Sequence, residues 1–352
     1  MRQLEPIIKQ FDMGSRPICA RELRSGSVHD SFLVDLVDGT SVVLQRINTD
    51  AFPDTAALMG NALAVSNYLK KQNPKSHRFV RFISPTQGGD WLDFQDEQWR
   101  AYRYIDRAHT PLFERPSARD SAEAARAVGL FHRSLADFPV SDLNWTLPDF
   151  HNTPKLFDEF TALLETTPKT LVDTARDEIS YLLKQLRYTG ALLAMDLPAR
   201  AVHNSIQMSC VLLDNETGRA LCLINYDTVM PGLVAFDFGA AVHSACRLCR
   251  PDERVMKKIR FDLDRYAEMT RLYIDVMRPV FDKSEPASLA PGAVVMSLEL
   301  GLRYLCDYLT GNKRFPVSYP EQNLYRARVQ LMLCMQMQYY FKEMENIVKR
   351  CL

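Results

Sequence analysis

Two short apolar runs, residues 28–36 (VHDSFLVDL) and 40–47 (TSVVLQRI), read as β-strands. Asp38-Gly39 between them is a strong hairpin signal, because both residues tolerate the positive φ of a tight turn. Leu58, Ala62, Val65 and Leu69 then recur at spacings of three and four, which predicts a helix over residues 54–71. Residues 78–83 and 98–105 read as two further strands around the Gly88-Gly89 turn. The first hundred residues therefore predict a small sheet crossed by one helix.

The pattern changes after Asp106. Residues 108–116 are polar and carry two prolines, as a hinge would. Helical periodicity then covers residues 118–135, 156–164, 171–186, 253–277, 291–309 and 323–349. One β island interrupts it: residues 210–213 and 220–224 flank the turn-rich Asp-Asn-Glu-Thr-Gly pentapeptide and read as a second hairpin.

The chain has 352 residues, and at roughly 100–200 residues per domain this predicts two domains or lobes. Hydrophobic residues make up 47% and charged residues 24%, enough to bury a large core without disulfides or metal. Lys+Arg and Asp+Glu are both 43, so the formal net charge is zero and binding to nucleic acid by overall charge is not expected. The N-terminus has no apolar run of signal-peptide length, and charges interrupt the most apolar stretches, so no membrane segment is expected. Eight scattered cysteines without an export signal predict reduced thiols and a cytoplasmic location.

Residues 203–239 read HNSIQMSCVLLDNETGRALCLINYDTVMPGLVAFDFG. A loop opening with His203-Asn204 leads into a hairpin whose second strand ends Ile-Asn-Tyr-Asp, and a Pro-Gly turn follows. This frame, together with LQRIN (44–48), WRAYRYI (99–105), DFHNTPK (149–155), SLELGLRYLCDYL (297–309) and NLYRAR (323–328), resembles the N-acetylhexosamine 1-kinase group of the aminoglycoside phosphotransferase and choline kinase superfamily. The resemblance covers nearly the whole chain. It implies an α+β, two-lobed, protein-kinase-like (aminoglycoside phosphotransferase-like) fold: a small β lobe over residues 1–106, and a larger helical lobe over 107–352 carrying the catalytic-loop hairpin at 203–228. The cofactors it implies are ATP and Mg²⁺.

The family's catalytic loop follows HNDxKxxN, with an Asp that orients the sugar hydroxyl and an Asn on the metal. A later Asp-x-Asp opens with a Mg²⁺ ligand. Residue by residue, the catalytic Asp position is Ser205, the Lys position Gln207, the Asn position Cys210 and the first Asp of the later pair Asn225. A serine hydroxyl has no anionic form near neutral pH and cannot take a proton as a carboxylate does. Mg²⁺ prefers hard oxygen ligands, whereas the Cys210 sulfur is soft. Asn225 keeps an oxygen without the charge. Asp227 survives, and two residues along a strand it is expected on the same face as Asn225. The degenerate metal positions are thus Cys210, Asn225 and Asp227, and binding of ATP and Mg²⁺ is expected to be weak or absent.

On the nucleotide side the resemblance implies Gly26 of a reduced glycine-rich loop (SGSVHD), Arg46 on its strand, and Tyr104 and Ile105. The helix position of the acidic partner of Arg46 is Gly60, which predicts a broken pair. On the sugar side it implies Asp149, His151, Asn152 and Arg303, while Arg314 replaces a tyrosine common in the group.

Plainer readings apply elsewhere. His203 and Asp237 are expected to be structural. His132 and Arg133 are expected to be surface or capping groups. Cys246-x-x-Cys249 with His243 lacks the four ligands of a zinc site. The stripe Met332, Met335, Met337, Tyr339 and Tyr340 is expected to pack in the core. The functional expectation is a pseudokinase that binds a sugar or nucleotide ligand or a protein partner. The alternative is an active ATP-dependent phosphotransferase using Asp227 and a non-standard base, and a third class is a scaffold with an empty cleft.

Overall fold

The structure is a computed structural model that describes residues 4–23, 28–72, 79–111 and 116–352. A short helix α1 (Glu5–Ile8) precedes strands β1 (Pro17–Glu22), β2 (Asp30–Leu36) and β3 (Ser41–Arg46). Helix α2 (Thr55–Gln72) crosses to β4 (Phe82–Ile83), β5 (Leu92–Phe94) and β6 (Glu97–Arg103). These strands form one antiparallel sheet in the order β1-β2-β3-β6-β4, with β5 also on β6. Alternation divides the sheet into two faces. On the outer face Val34, Leu36, Val42, Leu44, Trp99 and Ala101 pack against Ile7, Ile8 and Phe11. The other face carries Ser31, Gln45 and Arg100, which the register places opposite one another across three strands.

The rest of the chain is mostly helical. It comprises β7 (Ala108–His109), α3 (Ala118–Ser134), α4 (Thr153–Thr166), α5 (Lys169–Thr174), α6 (Arg176–Leu183), α7 (Leu186–Thr189) and β8 (Arg200–Val202). There follow β9 (Val211–Asp214), β10 (Ala220–Leu223), β11 (Met230–Gly232), α8 (Val234–Ala245), α9 (Leu263–Met277), α10 (Leu289–Leu309), α11 (Gln322–Tyr339) and α12 (Phe341–Cys351). Strand β7 pairs with β9, so the expected hinge instead adds a third strand to the β9–β10 hairpin. Ser117 and Asn152 cap α3 and α4 by accepting the N–H of Asp120 and of Lys155. Residues 285–309, long and apolar enough by composition to cross a membrane, are mostly buried within the helical lobe.

Helix α8 has no apolar stripe to read, because all twelve of its residues are buried, and a helix hydrophobic all round shows no amphipathic period. A Cβ at Gly239 would lie 2.3 Å from the Gly292 carbonyl oxygen, so glycine lets α8 press its backbone against α10. Strand β1 escaped detection because it is largely exposed and shows no apolar alternation.

Three expected helices are interrupted. Residues 171–186 are parts of α5, α6 and α7, broken near Ala175 and Lys184. The helix expected over 253–277 starts only at Leu263, where the Asp262 carboxylate accepts the Arg265 N–H at 3.0 Å, since Phe261 bridges to Arg247 in extended form. The helix over 323–349 breaks at Tyr340 between α11 and α12. In the methionine stripe Met337 is buried, but Met335 and Tyr339 face solvent, so the stripe is core on one side only.

Candidate functional site

Strand β8 feeds the loop His203–Asn204–Ser205, and one buried carboxylate fixes its shape. Asp237 on α8 accepts the backbone N–H groups of His203 and Asn204, each at 2.7 Å. His132 Nε2 donates to the same carboxylate at 2.8 Å, while its Nδ1 meets the Tyr273 hydroxyl at 2.8 Å. Burial pushes the Asp237 carboxyl up, but hydrogen bonding to His132, with the His132 and His203 rings and the His203 N–H, leaves it below its ordinary value. His132 is therefore a buried positioning residue, which corrects the expectation of a surface or capping group. Asn204 takes a left-handed backbone, φ +64°, which asparagine tolerates better than most residues. Its Nδ2 donates to the Thr228 and Met230 carbonyls. His203 Nε2 donates to the Ile224 carbonyl at 2.9 Å, tying the loop to the end of β10.

On this scaffold the positions that the resemblance assigns to the catalytic loop lie close together. Gln207 precedes a turn that brings Cys210 back, so that Cys210 Sγ lies 3.5 Å from the Ser205 carbonyl oxygen. Asn225 Nδ2 lies 3.8 Å from the same sulfur. Burial raises the Cys210 thiol above its usual value, so the sulfur stays protonated.

Asn225 and Asp227 do not share a strand face, because β10 ends at Leu223, Asn225 is left-handed (φ +67°) and Asp227 lies in the following turn. Asp227 instead faces the sheet. Arg100 Nη2 donates to its Oδ1 at 2.5 Å, and His29 Nε2 lies 3.3 Å from its Oδ2. The Asn48 backbone N–H donates to His29 Nδ1, which places the proton of the neutral ring on Nε2, toward Asp227. Desolvation pushes the Asp227 carboxyl up, but the Arg100 guanidinium and His29 more than reverse it and hold it far below the usual carboxylate range. Arg100, itself buried, also donates from Nε to Gln45 Oε1 at 2.9 Å, and Gln45 Nε2 donates to Ser31 Oγ at 2.9 Å. A continuous polar chain thus runs Ser31–Gln45–Arg100–Asp227 from the sheet into the helical lobe.

Arg46, Tyr104 and Ile105 do not join it. Arg46 lies on the opposite face of the sheet, paired with Asp30 and Glu97. These two carboxylates, on neighbouring strands, are its acidic partners, and Gly60 on α2 lies instead beside Asn144. Tyr104 is exposed and its backbone N–H is engaged by the Ser41 carbonyl. Ile105 follows β6 and is half-buried. Gly26 lies outside the described residues. Mg²⁺ fits this donor set poorly. It would meet a protonated sulfur, an amide whose NH₂ points at that sulfur and a carboxylate already held by a guanidinium. Among the described residues no group of three His, Cys, Asp or Glu side chains is arranged to hold a metal ion.

The expected sugar-side residues separate into two groups. Asp149, His151 and Asn152 line a cavity of about 490 Å³ beside Asn204 and Gly232, walled by Phe150, Leu192, Met195 and Phe236. Arg303 does not line it. It lies behind, bonded to the Phe150 carbonyl and, through Nε at 3.0 Å, to Glu299. Arg314 is exposed, with its backbone N–H on Asp307, and is not part of this wall. Glu299, absent from the sequence-level expectations, organises the region: it binds His151 Nδ1 at 2.8 Å and the Thr153 hydroxyl at 2.6 Å. His151 Nε2 donates to the Asn204 carbonyl at 2.8 Å, carrying this network to the loop.

Burial pushes Glu299 up, but His151 and Arg303 reverse this and bring it from 4.5 down to about 2. A depressed carboxylate contributes stability above its unfolded value and loses it as pH falls through the folded one. Glu299 therefore contributes about 3 kcal/mol near neutrality, lost between about pH 4.5 and 2. Urea unfolding across that window should fall steeply for the native chain and less steeply for Glu299→Gln, and equal slopes would contradict the assignment.

A model of the phosphotransferase enzyme family matches residues 20–269. Solved structures match nearly end to end. The aminoglycoside phosphotransferase of Alicyclobacillus acidocaldarius is 10% identical with a TM-score of 0.64, over 98% of this chain and 96% of that one. A spectinomycin phosphotransferase, solved with ADP and spectinomycin, is 12% identical with a TM-score of 0.63, over 96% and 98%. The choline kinase of Cryptosporidium parvum is 14% identical with a TM-score of 0.59, over 98% and 97%. At these identities the likeness is one of fold.

Proposed function

We propose, for a chain that belongs to the phosphotransferase enzyme family, that it is a pseudokinase: it keeps the kinase-like fold, has lost phosphoryl transfer, and acts as a ligand-binding module. The observation that carries this reading is Arg100 on Asp227. Phosphoryl transfer requires cations that neutralise the phosphates and a group that orients the attacking hydroxyl. Here the one carboxylate retained from the metal positions is neutralised by the protein's own guanidinium. Ser205 offers a hydroxyl where a base is needed, and Cys210 and Asn225 offer no anionic oxygen.

Nucleotide binding is a separate question from turnover. The spectinomycin phosphotransferase was solved with ADP, and an amicoumacin kinase with AMP-PNP and Ca²⁺. Incubation with radiolabelled ATP, Mg²⁺ and a panel of N-acetylhexosamines, amino alcohols and aminoglycosides tests the reading. The expected result is no transfer above the signal of heat-denatured protein. Transfer with ordinary turnover that disappears in Asp227→Ala would instead favour the active phosphotransferase.

A further inference from the structure

We infer that the 490 Å³ cavity beside Asn204 binds a small, uncharged, largely apolar molecule rather than the hexosamine implied by the resemblance. The inference rests on the reading of the cleft as non-catalytic, since a working sugar kinase needs hydroxyl-recognising groups at this place.

The wall chemistry carries the argument. Phe150, Leu192, Met195, Leu197, Leu233 and Phe236 give the lining a mainly apolar character. The His151 ring lies between Phe150 and Phe236, with centroids 4.6 and 4.5 Å away, so one wall is a run of three rings. Most polar side chains of the wall are bonded within the protein, although the Asp149 carboxylate, 45% exposed, also reaches solvent. Both nitrogens of His151 are engaged, by Glu299 and by the Asn204 carbonyl. Asn152 caps α4 and donates to Asp149. The Asp149 carboxylate is neutralised by Lys155 at 2.7 Å. Asn204 Nδ2 is held by two carbonyls. Its Oδ1 lies beside Gly232, 2.8 Å from where a Cβ would stand, and accepts from no side chain among the described residues.

A hexosamine placed here would meet few free polar side chains, and each hydroxyl buried without a partner would cost about 1–3 kcal/mol. An apolar body gains about 25 cal/mol for each Å² removed from water. The volume lies within the roughly 300–1,000 Å³ of small-molecule sites. Trp145 and Leu193 stand at the mouth, 60% and 50% exposed, where a ligand would cover them.

Fluorescence titration of the full chain with N-phenyl-1-naphthylamine, an uncharged aromatic amine, tests the proposal. The expected result is saturable enhancement at one probe per chain. Leu193→Asp and Trp145→Ser, both at exposed positions and expected to keep the native melting temperature, should each weaken binding at least tenfold. A large excess of N-acetylglucosamine or N-acetylgalactosamine should not displace the probe. Absence of saturable binding, equal affinity in both variants, or displacement by either sugar would overturn the proposal. Its failure is distinguishable from that of the pseudokinase reading. Phosphorylation of an apolar alcohol would overturn that reading and leave this one standing, and displacement by sugar without transfer would do the reverse.

Discussion

Replacing Arg100 with methionine should destabilise the protein by about 3–5 kcal/mol at neutral pH, the usual effect of leaving one member of a buried ion pair without its partner. Arg100 is 3% exposed and the Asp227 side chain 13%, so water cannot take over from the lost guanidinium. The same change strands Gln45 Oε1, which accepts from Arg100 Nε. Asp227→Asn should cost a similar amount by stranding the cation. The double variant should cost clearly less than the two single changes together, because neither group then remains as an unpaired charge. Acid adds a second signature. The depressed Asp227 carboxyl stabilises the fold above its ordinary value of 3.8, and that contribution starts to be lost below 3.8 and goes on being lost as pH falls through its lower folded value. The Arg100→Met chain should lose much less stability over the same fall. Urea unfolding of the four proteins at pH 7 and pH 3 measures both effects. A cost below about 1 kcal/mol for Arg100→Met, with additive single changes, would show that the pair is incidental.

The second large effect is a gain of activity. Ser205→Asp, Cys210→Asn and Asn225→Asp together restore a base and two oxygen ligands, yet on their own they should leave Mg²⁺·ATP unused, because Arg100 still holds Asp227. Adding Arg100→Met frees the Asp227 carboxylate from its guanidinium, so that a bound cation can take its place. The fourfold variant should therefore melt at a higher temperature when Mg²⁺ is added. It should hydrolyse ATP clearly faster than the threefold variant, because both carry the base but only the fourfold variant leaves Asp227 open to the metal. Hydrolysis is the suitable readout because it assumes no acceptor. Equal rates in the threefold and fourfold variants would show that Arg100 does not block the metal position.

Much of this fold is legible in the sequence, and the exceptions have physical causes. The β2–β3 hairpin and α2 follow from alternation, an Asp-Gly turn and helical spacing, all local signals. Helix α8 is not legible because burial on every side erases periodicity. The substitutions at 205, 210 and 225 can be read one by one, since a motif fixes which residue types the chemistry needs. What replaces that chemistry cannot, because Arg100 and Asp227 lie 127 residues apart and meet only through the sheet register. A signal does exist: Arg100 lies mid-strand between buried Trp99 and Ala101, and a cation there must face a partner. The same alternation places Arg46 on the outer face, away from the position implied by resemblance. Glu299 in α10 was likewise hidden inside an apolar helix, where its partners come from α4 and the segment before it.

The claim that the cleft supplies its own cation is tested most directly by calorimetric titration of the native chain with ATP, once in excess Mg²⁺ and once in chelator. The account predicts superimposable isotherms, whether nucleotide binding is weak or absent, since Arg100 already holds Asp227. Saturable ATP binding that tightens at least tenfold with Mg²⁺ and is abolished by Asp227→Ala would contradict it.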